Sequence, residues 1–163
     1  MSDLATVGID PGMDGAIALV LNDKLIEVID MPTFERKIGK KTTREINPHI
    51  VAAEIKGLVL ACAEAEPFII IEKVHSMPGQ GVASSFAFGR GVGIIEGVVA
   101  ALGLPLGYST PQQWKKRAGL VNQPKGASRQ TATNLWPDFA DEFRLVKHDG
   151  RADAALIARY GGN

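Results

Sequence analysis

Short apolar runs broken by Gly, Pro and Asp dominate the first thirty positions of the chain. Residues 5–9 and 16–21 are β-type apolar runs on either side of Asp10-Pro11-Gly12-Met13-Asp14-Gly15, a turn by its Pro and Gly content, and they predict a hairpin. Leu21-Asn22-Asp23-Lys24 turns the chain again into residues 25–29, so three consecutive strands predict an antiparallel meander. Residues 31–46 have no such run and read as a mobile basic loop.

From Asn47 onward the period changes. Asn47 followed by Pro48 is an N-cap with proline at the first helical position, and Ile50, Val51, Ile55, Leu58 and Val59 form the apolar stripe of a helix ending near Glu66-Pro67. Residues 68–72 are a continuous apolar run closed by Glu72, the pattern of a central strand buried on both faces. A Gly-rich loop over residues 76–82 leads to a long helix reaching about Leu102, then to a strand over residues 105–109. Thr110-Pro111 caps a further helix, Ala127–Leu135 is helical and stops before Pro137, and residues 152–160 form the last helix, entered through His148-Asp149-Gly150. A meander followed by alternating helix and strand is an α/β arrangement with a mixed five-stranded sheet flanked by helices. No internal repeat or low-complexity segment interrupts it.

Length narrows this to one compact domain over residues 1–163, since 17.4 kDa with 45% hydrophobic residues leaves no room for a second full domain. Cys62, the single cysteine, excludes an intramolecular disulfide, and no Cys/His spacing suggests zinc. Met1-Ser2-Asp3-Leu4 has neither the basic start nor the apolar run of a signal peptide, and Glu96 interrupts the most hydrophobic helical stretch. A cytosolic protein without membrane association is the expectation. Net charge is zero, so only the distribution of charge can point to a nucleic acid. That distribution is uneven: Arg36, Lys37, Lys40, Lys41 and Arg44 form one cationic set, and Lys115, Lys116, Arg117, Lys125 and Arg129 another, together ten of the eighteen cations. Such sets are either solvated loops or a phosphate-binding surface.

The acids supply the candidate chemistry. Asp10 follows a strand and precedes Pro11-Gly12, where it can close an Asx-turn or serve as a metal ligand. Glu72 ends another apolar strand, and ligands of α/β sheets gather at the carboxyl ends of strands. Asp149 and Asp153 stand four apart at the start of the last helix, on one helical face. The dipole of a helix N-terminus accounts for either alone, but two like charges stacked at this spacing repel unless a cation lies between them. Carboxylates without Cys or close His spacing are hard oxygen donors, suited to Mg²⁺, with Mn²⁺ as a substitute. Two ions about 3.5 to 4 Å apart activate water and stabilise the leaving oxygen of a phosphodiester.

In order along the chain, Gly8-Ile9-Asp10-Pro11-Gly12, Ile70-Ile71-Glu72-Lys73-Val74 and Gly150-Arg151-Ala152-Asp153-Ala154-Ala155-Leu156-Ile157-Ala158 resemble the RuvC family of Holliday junction resolvases, within the ribonuclease H-like superfamily. Gly89-Arg90-Gly91-Val92-Gly93 resembles the family's helix after the Glu strand, and residues 108–116 its passage from strand to basic helix. The ending Lys147-His148-Asp149-Gly150-Arg151-Ala152-Asp153 resembles phage-type and chloroplast resolvases more than bacterial RuvC, in which the last two ligands are usually three apart.

The resemblance implies a ribonuclease H-like fold and a homodimer that binds a four-way DNA junction and nicks two strands symmetrically. It also implies a metal site of Asp10, Glu72, Asp149 and Asp153 as the catalytic residues. The spacing favours Asp149 as the fourth ligand, with His148 the alternative or a neighbouring proton carrier. DNA contacts are expected at Lys73, Arg90, Lys115, Lys116, Lys125 and Arg129. His75 stands where bacterial RuvC has a stacking aromatic, with Phe86 and Phe88 as rival wedges. The alternatives are a ribosomal-RNA-processing nuclease of the YqgF group, an actin-like or sugar-kinase ATPase, which requires two such domains, and a non-catalytic DNA-binding module, against which the presence of all four acids argues.

Overall fold

The computed structural model of the protein describes residues 4–75 and 79–162. The meander is β1 (Ala5–Asp10), β2 (Ala16–Leu21) and β3 (Lys24–Asp30), antiparallel throughout. β6 (Phe68–Glu72) adds parallel to β1, and β7 (Leu106–Ser109) parallel to β6, which gives the mixed five-stranded order β3-β2-β1-β6-β7. Burial explains why β1, β2 and β6 lie inside: their runs are apolar on both faces, and each face meets helices.

Alternation along the strands sorts side chains to two cores. Val7, Ile9, Ile17, Leu19, Ile69 and Ile71 face α1 (Pro48–Ala61) and α2 (Val82–Ala101). Ala16, Ala18, Val20 and Ile70 face the opposite layer of α3 (Pro111–Arg117), α4 (Ala127–Leu135), α5 (Ala140–Phe143) and α6 (Asp149–Tyr160). α6 crosses β1 and β2 because Ala152, Ala154, Ala155 and Ala158 keep much of its buried face small and because Gly8 has no side chain. A Cβ at Gly8 would lie 2.2 Å from the carbonyl oxygen of Ala154 and 2.3 Å from the amide nitrogen of Ala158. At the helix start, Gly150 packs against the backbone of Asp14 and Gly15 in the β1–β2 turn. Backbone-to-backbone contact at both ends of this crossing fixes α6 in depth and along its axis.

The expected start of α1 is present in detail, since Asn47 Oδ1 accepts from the amides of His49 and Ile50. Thr110 and Gln113 form a reciprocal capping box on α3. Three expectations need correction. Residues 31–46 are not a loop but an antiparallel hairpin, β4 (Thr33–Ile38) and β5 (Lys41–Ile46), which among the described strands pairs only with itself. α1 ends at Ala61, short of Glu66-Pro67, because Ala63 turns into the left-handed region at φ 56°. α6 begins at Asp149, not at residue 152, since Gly150 and Arg151 are already helical. Of the loop expected over residues 76–82, positions 76–78 lie outside the described residues.

Among the described helices, α2 alone is long and apolar enough to cross a membrane by length and composition. It lies against the sheet with Gly91, Ile95 and Val99 buried and carries Arg90 and Glu96, as a helix packed on a core does.

Candidate active site

The sheet register brings two acids side by side. Ile9 pairs with Ile71 across the parallel β1–β6 ladder, so Asp10 and Glu72, each one residue further, end adjacent strands at the same level, about 4.8 Å apart along the ladder. By alternation they point to the same face as Gly8 and Ile70, the face covered by α6. Asp153, one turn into α6, meets them there.

The electrostatics report that proximity. Burial pushes the Asp10 carboxyl up to about 7, with the negative charge of Glu72 the next contributor and those of Asp153 and Asp14 adding to it. Burial also raises Glu72, opposed by its hydrogen bond from Trp114 and assisted by Asp153. Asp153 is raised by burial against a hydrogen bond from Ser128 and the nearby cation of Lys115. Three carboxyl groups held this close in low dielectric resist ionising together unless positive charge joins them.

Hydrogen bonding leaves the site part satisfied. Asp10 Oδ1 accepts from the amide of Gly12 at 3.2 Å, so the Asx-turn is present and occupies one carboxylate oxygen. Trp114, fully buried on α3, donates Nε1–H to Glu72 Oε1 at 2.8 Å. Asp153 Oδ1 is buried and accepts no hydrogen bond from any described residue. Ser109, which pairs with Glu72 across β6–β7, has a buried hydroxyl in the same condition. Among the described residues, no three Asp, Glu, His or Cys side chains are drawn tightly enough to close a shell around an ion as they stand. The acids are neighbours of one another, not a formed coordination sphere. An all-oxygen donor set with an unpartnered buried carboxylate oxygen nonetheless fits a hard divalent cation and fits no other common group.

The other expected residues divide by position. Asp149 stands at the start of α6, half exposed, with Oδ1 bonded to Arg129 Nε at 2.6 Å, and it is the smallest of the charges acting on Asp153. Arg129 is therefore committed to Asp149 and to the carbonyl of Arg144. His148 is buried just before α6, where burial and the cations of Arg151 and Lys147 hold its pKa below the usual imidazole range. Its charged neighbours are Arg151, Lys147, Asp30 and Glu142, not the Asp10 group. Lys115 stacks over the Trp114 ring at 5.2 Å and acts on both Glu72 and Asp153. Lys116, on α3, and Lys125, between α3 and α4, are exposed. Lys73 and His75 are exposed just past β6, with His75 in a shallow groove shared with Tyr108 and Glu96. Arg90 lies on α2 and is paired with Glu45 of β5 at 2.6 Å. Phe86 is exposed and Phe88 partly covered, both along the groove between α2 and the β4–β5 hairpin.

Trp114, Ser128 and Ser109 were not singled out by the sequence. One signal for Trp114 existed: it is the only large apolar residue among the Gln, Lys and Arg of α3, and a buried indole N–H seeks an acceptor. Nothing local marked the two serines.

No family model matches the chain. Over 148 residues, 82% of its length, the chain is 29% identical to the chloroplastic Holliday junction resolvase MOC1 of Chlamydomonas reinhardtii. It spans only 17% of that protein. The fold superposes on Thermus thermophilus RuvC in complex with a Holliday junction substrate at TM-score 0.65, covering 95% of this chain and 90% of that one at 17% identity. A second Thermus thermophilus RuvC structure gives 0.53 over 97% and 95% at 14% identity. The chain has the ribonuclease H-like fold of RuvC. Within that RuvC-like fold, Asp10 and Glu72 stand at the sheet end and Asp153 on the facing helix.

Proposed function

We propose that the protein is a divalent-metal-dependent endodeoxyribonuclease that resolves four-way DNA junctions by paired, symmetric nicks. The observation that carries this is the convergence of Asp10, Glu72 and Asp153 from two adjacent strand ends and the facing helix, with an unpartnered Asp153 oxygen among them. Similarity in sequence to a Holliday junction resolvase, and in fold to a RuvC bound to a junction, supports the choice of substrate.

Asp10, Glu72 and Asp153 hold the cations in this reading, Mg²⁺ or Mn²⁺ and two per site, and Asp149 completes the set by exchanging Arg129 for metal. When bound, the ions supply a nucleophile from water at neutral pH and neutralise charge on the reacting phosphate. Trp114 fixes the Glu72 carboxylate in one orientation, and Gly12 fixes that of Asp10, so neither group must be ordered when substrate arrives. Lys115 stands beside the acids as the nearest cation to draw a phosphate toward them; Lys116 and Lys125 extend that attraction along the DNA, joined by Lys73, Arg90 and Arg129. His75, exposed just past Glu72, would meet a base beside the cut in this reading.

A homodimer is part of the proposal. On α2, a side-chain carbon placed at Gly89, Gly93 or Gly97 would meet no described atom within 4 Å beyond the helix's own backbone, so this face is not packed on its own sheet. Exposed Val82 and Phe86 continue it. A second copy would place two acid sites on one junction, as paired nicking requires. The cytosol of a bacterial or phage-infected cell is the location that goes with this function.

The test is cleavage in Mg²⁺ of synthetic four-way DNA junctions beside duplex, flap and structured RNA of equal length. Junctions should be cut at symmetric positions and duplex left whole, with no cutting in chelator. Preferential cleavage of the RNA would instead assign a ribosomal-RNA-processing role, and full activity in chelator would refute the metal site.

A further inference from the structure

The five cations of the β4–β5 hairpin have no part in the acid site, yet the fold ties the hairpin to it. β3 ends at Asp30, opposite Ala16, which itself pairs with Asp10; the hairpin therefore leaves the sheet at the end where the acids lie. Its root is fixed three ways. Arg44 bonds Asp14 in the turn that follows Asp10. Glu45 bonds Arg90 of α2 at 2.6 Å and, more loosely at 3.7 Å, Arg36. Ile46 is buried against Gly91.

The tip is different. Lys37, Lys40 and Lys41 are exposed and form no ion pair with any described residue, and Gly39 makes the turn between them at φ 63°. Across the hairpin, Glu35 faces Arg44 and Lys37 faces Thr42, so Arg44 and Lys37 share one face. Lys41, opposite Ile38, lies on the other face with Arg36, and Glu35 stands beside Arg44, so the unpaired positive charge gathers at the tip, on both faces of the ribbon. Ile46 at the hairpin root packs in the α1–α2 core, whereas Lys115 stands on α3 over the other face and acts on Glu72 and Asp153, so cations border the acid-bearing strand ends from both faces of the sheet.

We propose that the hairpin is an arm that grips the phosphate backbone of a duplex flanking the cleavage site, with Lys37, Lys40 and Lys41 as its contacts. This rests on the nuclease reading for the position of the cut, but not for the binding itself. At about 3.3 Å per strand residue, Lys41 stands about 10 Å beyond Arg44. That is the rise of about three base pairs, so the tip reaches duplex and not the reacting phosphate. A twisted two-stranded ribbon bearing unpaired ammonium groups suits this partner, because a phosphate backbone demands charge at intervals and no side-chain-specific pocket.

The experiment measures binding of the whole protein to a four-way junction and to a 30-base-pair duplex by fluorescence anisotropy, from 50 to 300 mM salt. The triple variant Lys37→Ala/Lys40→Ala/Lys41→Ala is compared with Lys24→Ala/Lys56→Ala, which removes cations from the far end of the sheet and from α1. The tip variant should bind at least tenfold more weakly at 100 mM salt, and its slope of log K against log salt should fall by about 2 to 3 units. The control pair should leave both unchanged. Replacing the flanking phosphates about three to six base pairs from the junction centre by neutral methylphosphonate linkages should erase the difference between wild type and tip variant. An unchanged slope, an equal loss in the control pair, or a difference that survives this neutralisation would overturn the arm. Cleavage of the same junctions is read separately: a wild type that binds with the expected slope but never cuts refutes the nuclease reading and leaves the arm standing.

Discussion

Asp10→Asn should make the metal-free protein more stable while abolishing its cleavage. The carboxyl is raised from 3.8 to about 7, first by burial and then by Glu72. With the folded pKa above the unfolded one, the folded state holds the extra proton between these values, and stability falls as pH rises through that window. At 1.36 kcal/mol per unit, three units would cost about 4 kcal/mol by pH 8. Asp10 is not fully covered, and solvent screening at its exposed edge reduces the figure to about 2 kcal/mol. Asparagine keeps the oxygen that accepts from Gly12 and cannot ionise.

Urea unfolding in chelator checks this at two pH values. At pH 8 the variant should be more stable by about 2 kcal/mol, which for this length is about 4 to 8 °C in Tm. At pH 4.5, where wild-type Asp10 is already protonated, the two should agree within about 0.5 kcal/mol. Added Mg²⁺ should then stabilise wild type at pH 8 and the variant hardly at all, because ligand binding acts only on the state that binds it. A variant less stable than wild type at pH 8, or a difference independent of pH, would mean that the carboxylate is held by a partner and carries no strain.

Trp114→Phe keeps most of the packing but leaves Glu72 without its donor, and should lower junction cleavage about tenfold with DNA binding unchanged; an unaltered rate would show that Glu72 needs no fixing. Gly8→Ala drives a methyl into the backbone of α6 and should cost at least about 3 kcal/mol by thermal melt, a loss that a soft helix crossing would not show. Asp149→Asn should slow cleavage strongly and His148→Ala only mildly, each measured under single turnover; the reverse order would make His148 the fourth ligand. Gly93→Leu should give a folded monomer by light scattering that binds junctions poorly, and a wild type that is itself monomeric at micromolar concentration would remove the α2 dimer face.

What the sequence makes legible is whatever burial dictates. β1, β2 and β6 stand out because both their faces are covered, and α4 matches to the residue because Gly126 and Trp136 end its period. The β4–β5 hairpin escaped for the opposite reason. Most of its positions are exposed, and Arg36 interrupts the face that Phe34 and Ile38 share, so no clean alternation marks the strand; what stabilises it is pairing with its own other half and ion pairs to residues far along the chain. The acids were visible singly as strand-end and helix-start carboxylates. Their convergence depended on the strand order β1-β6 and on α6 crossing β1 at Gly8, which no local pattern announces. Arg129 read as a free phosphate contact because its partner Asp149 lies 20 positions away.

That last pairing ties the outer acid to the DNA-binding side of the molecule. Asp10, Glu72 and Asp153 repel one another inside the fold, and in the proposed site that repulsion would favour a cation whether or not DNA is present. Asp149 lies outside this group and is neutralised already, by an arginine that is itself mostly covered and that also holds the carbonyl of Arg144. For Asp149 to turn to metal, Arg129 must find another anion, and a DNA phosphate is the anion the proposed substrate brings. One exchange would then complete the metal site and bind the backbone in the same step, so that the fourth carboxylate is available only when DNA is in place. Arg129→Gln tests the coupling: it should raise the affinity for Mn²⁺ without DNA, read by isothermal titration, while weakening junction binding. If Mn²⁺ affinity in the absence of DNA is the same in variant and wild type, Asp149 and Arg129 are a structural pair and the site completes itself by another route.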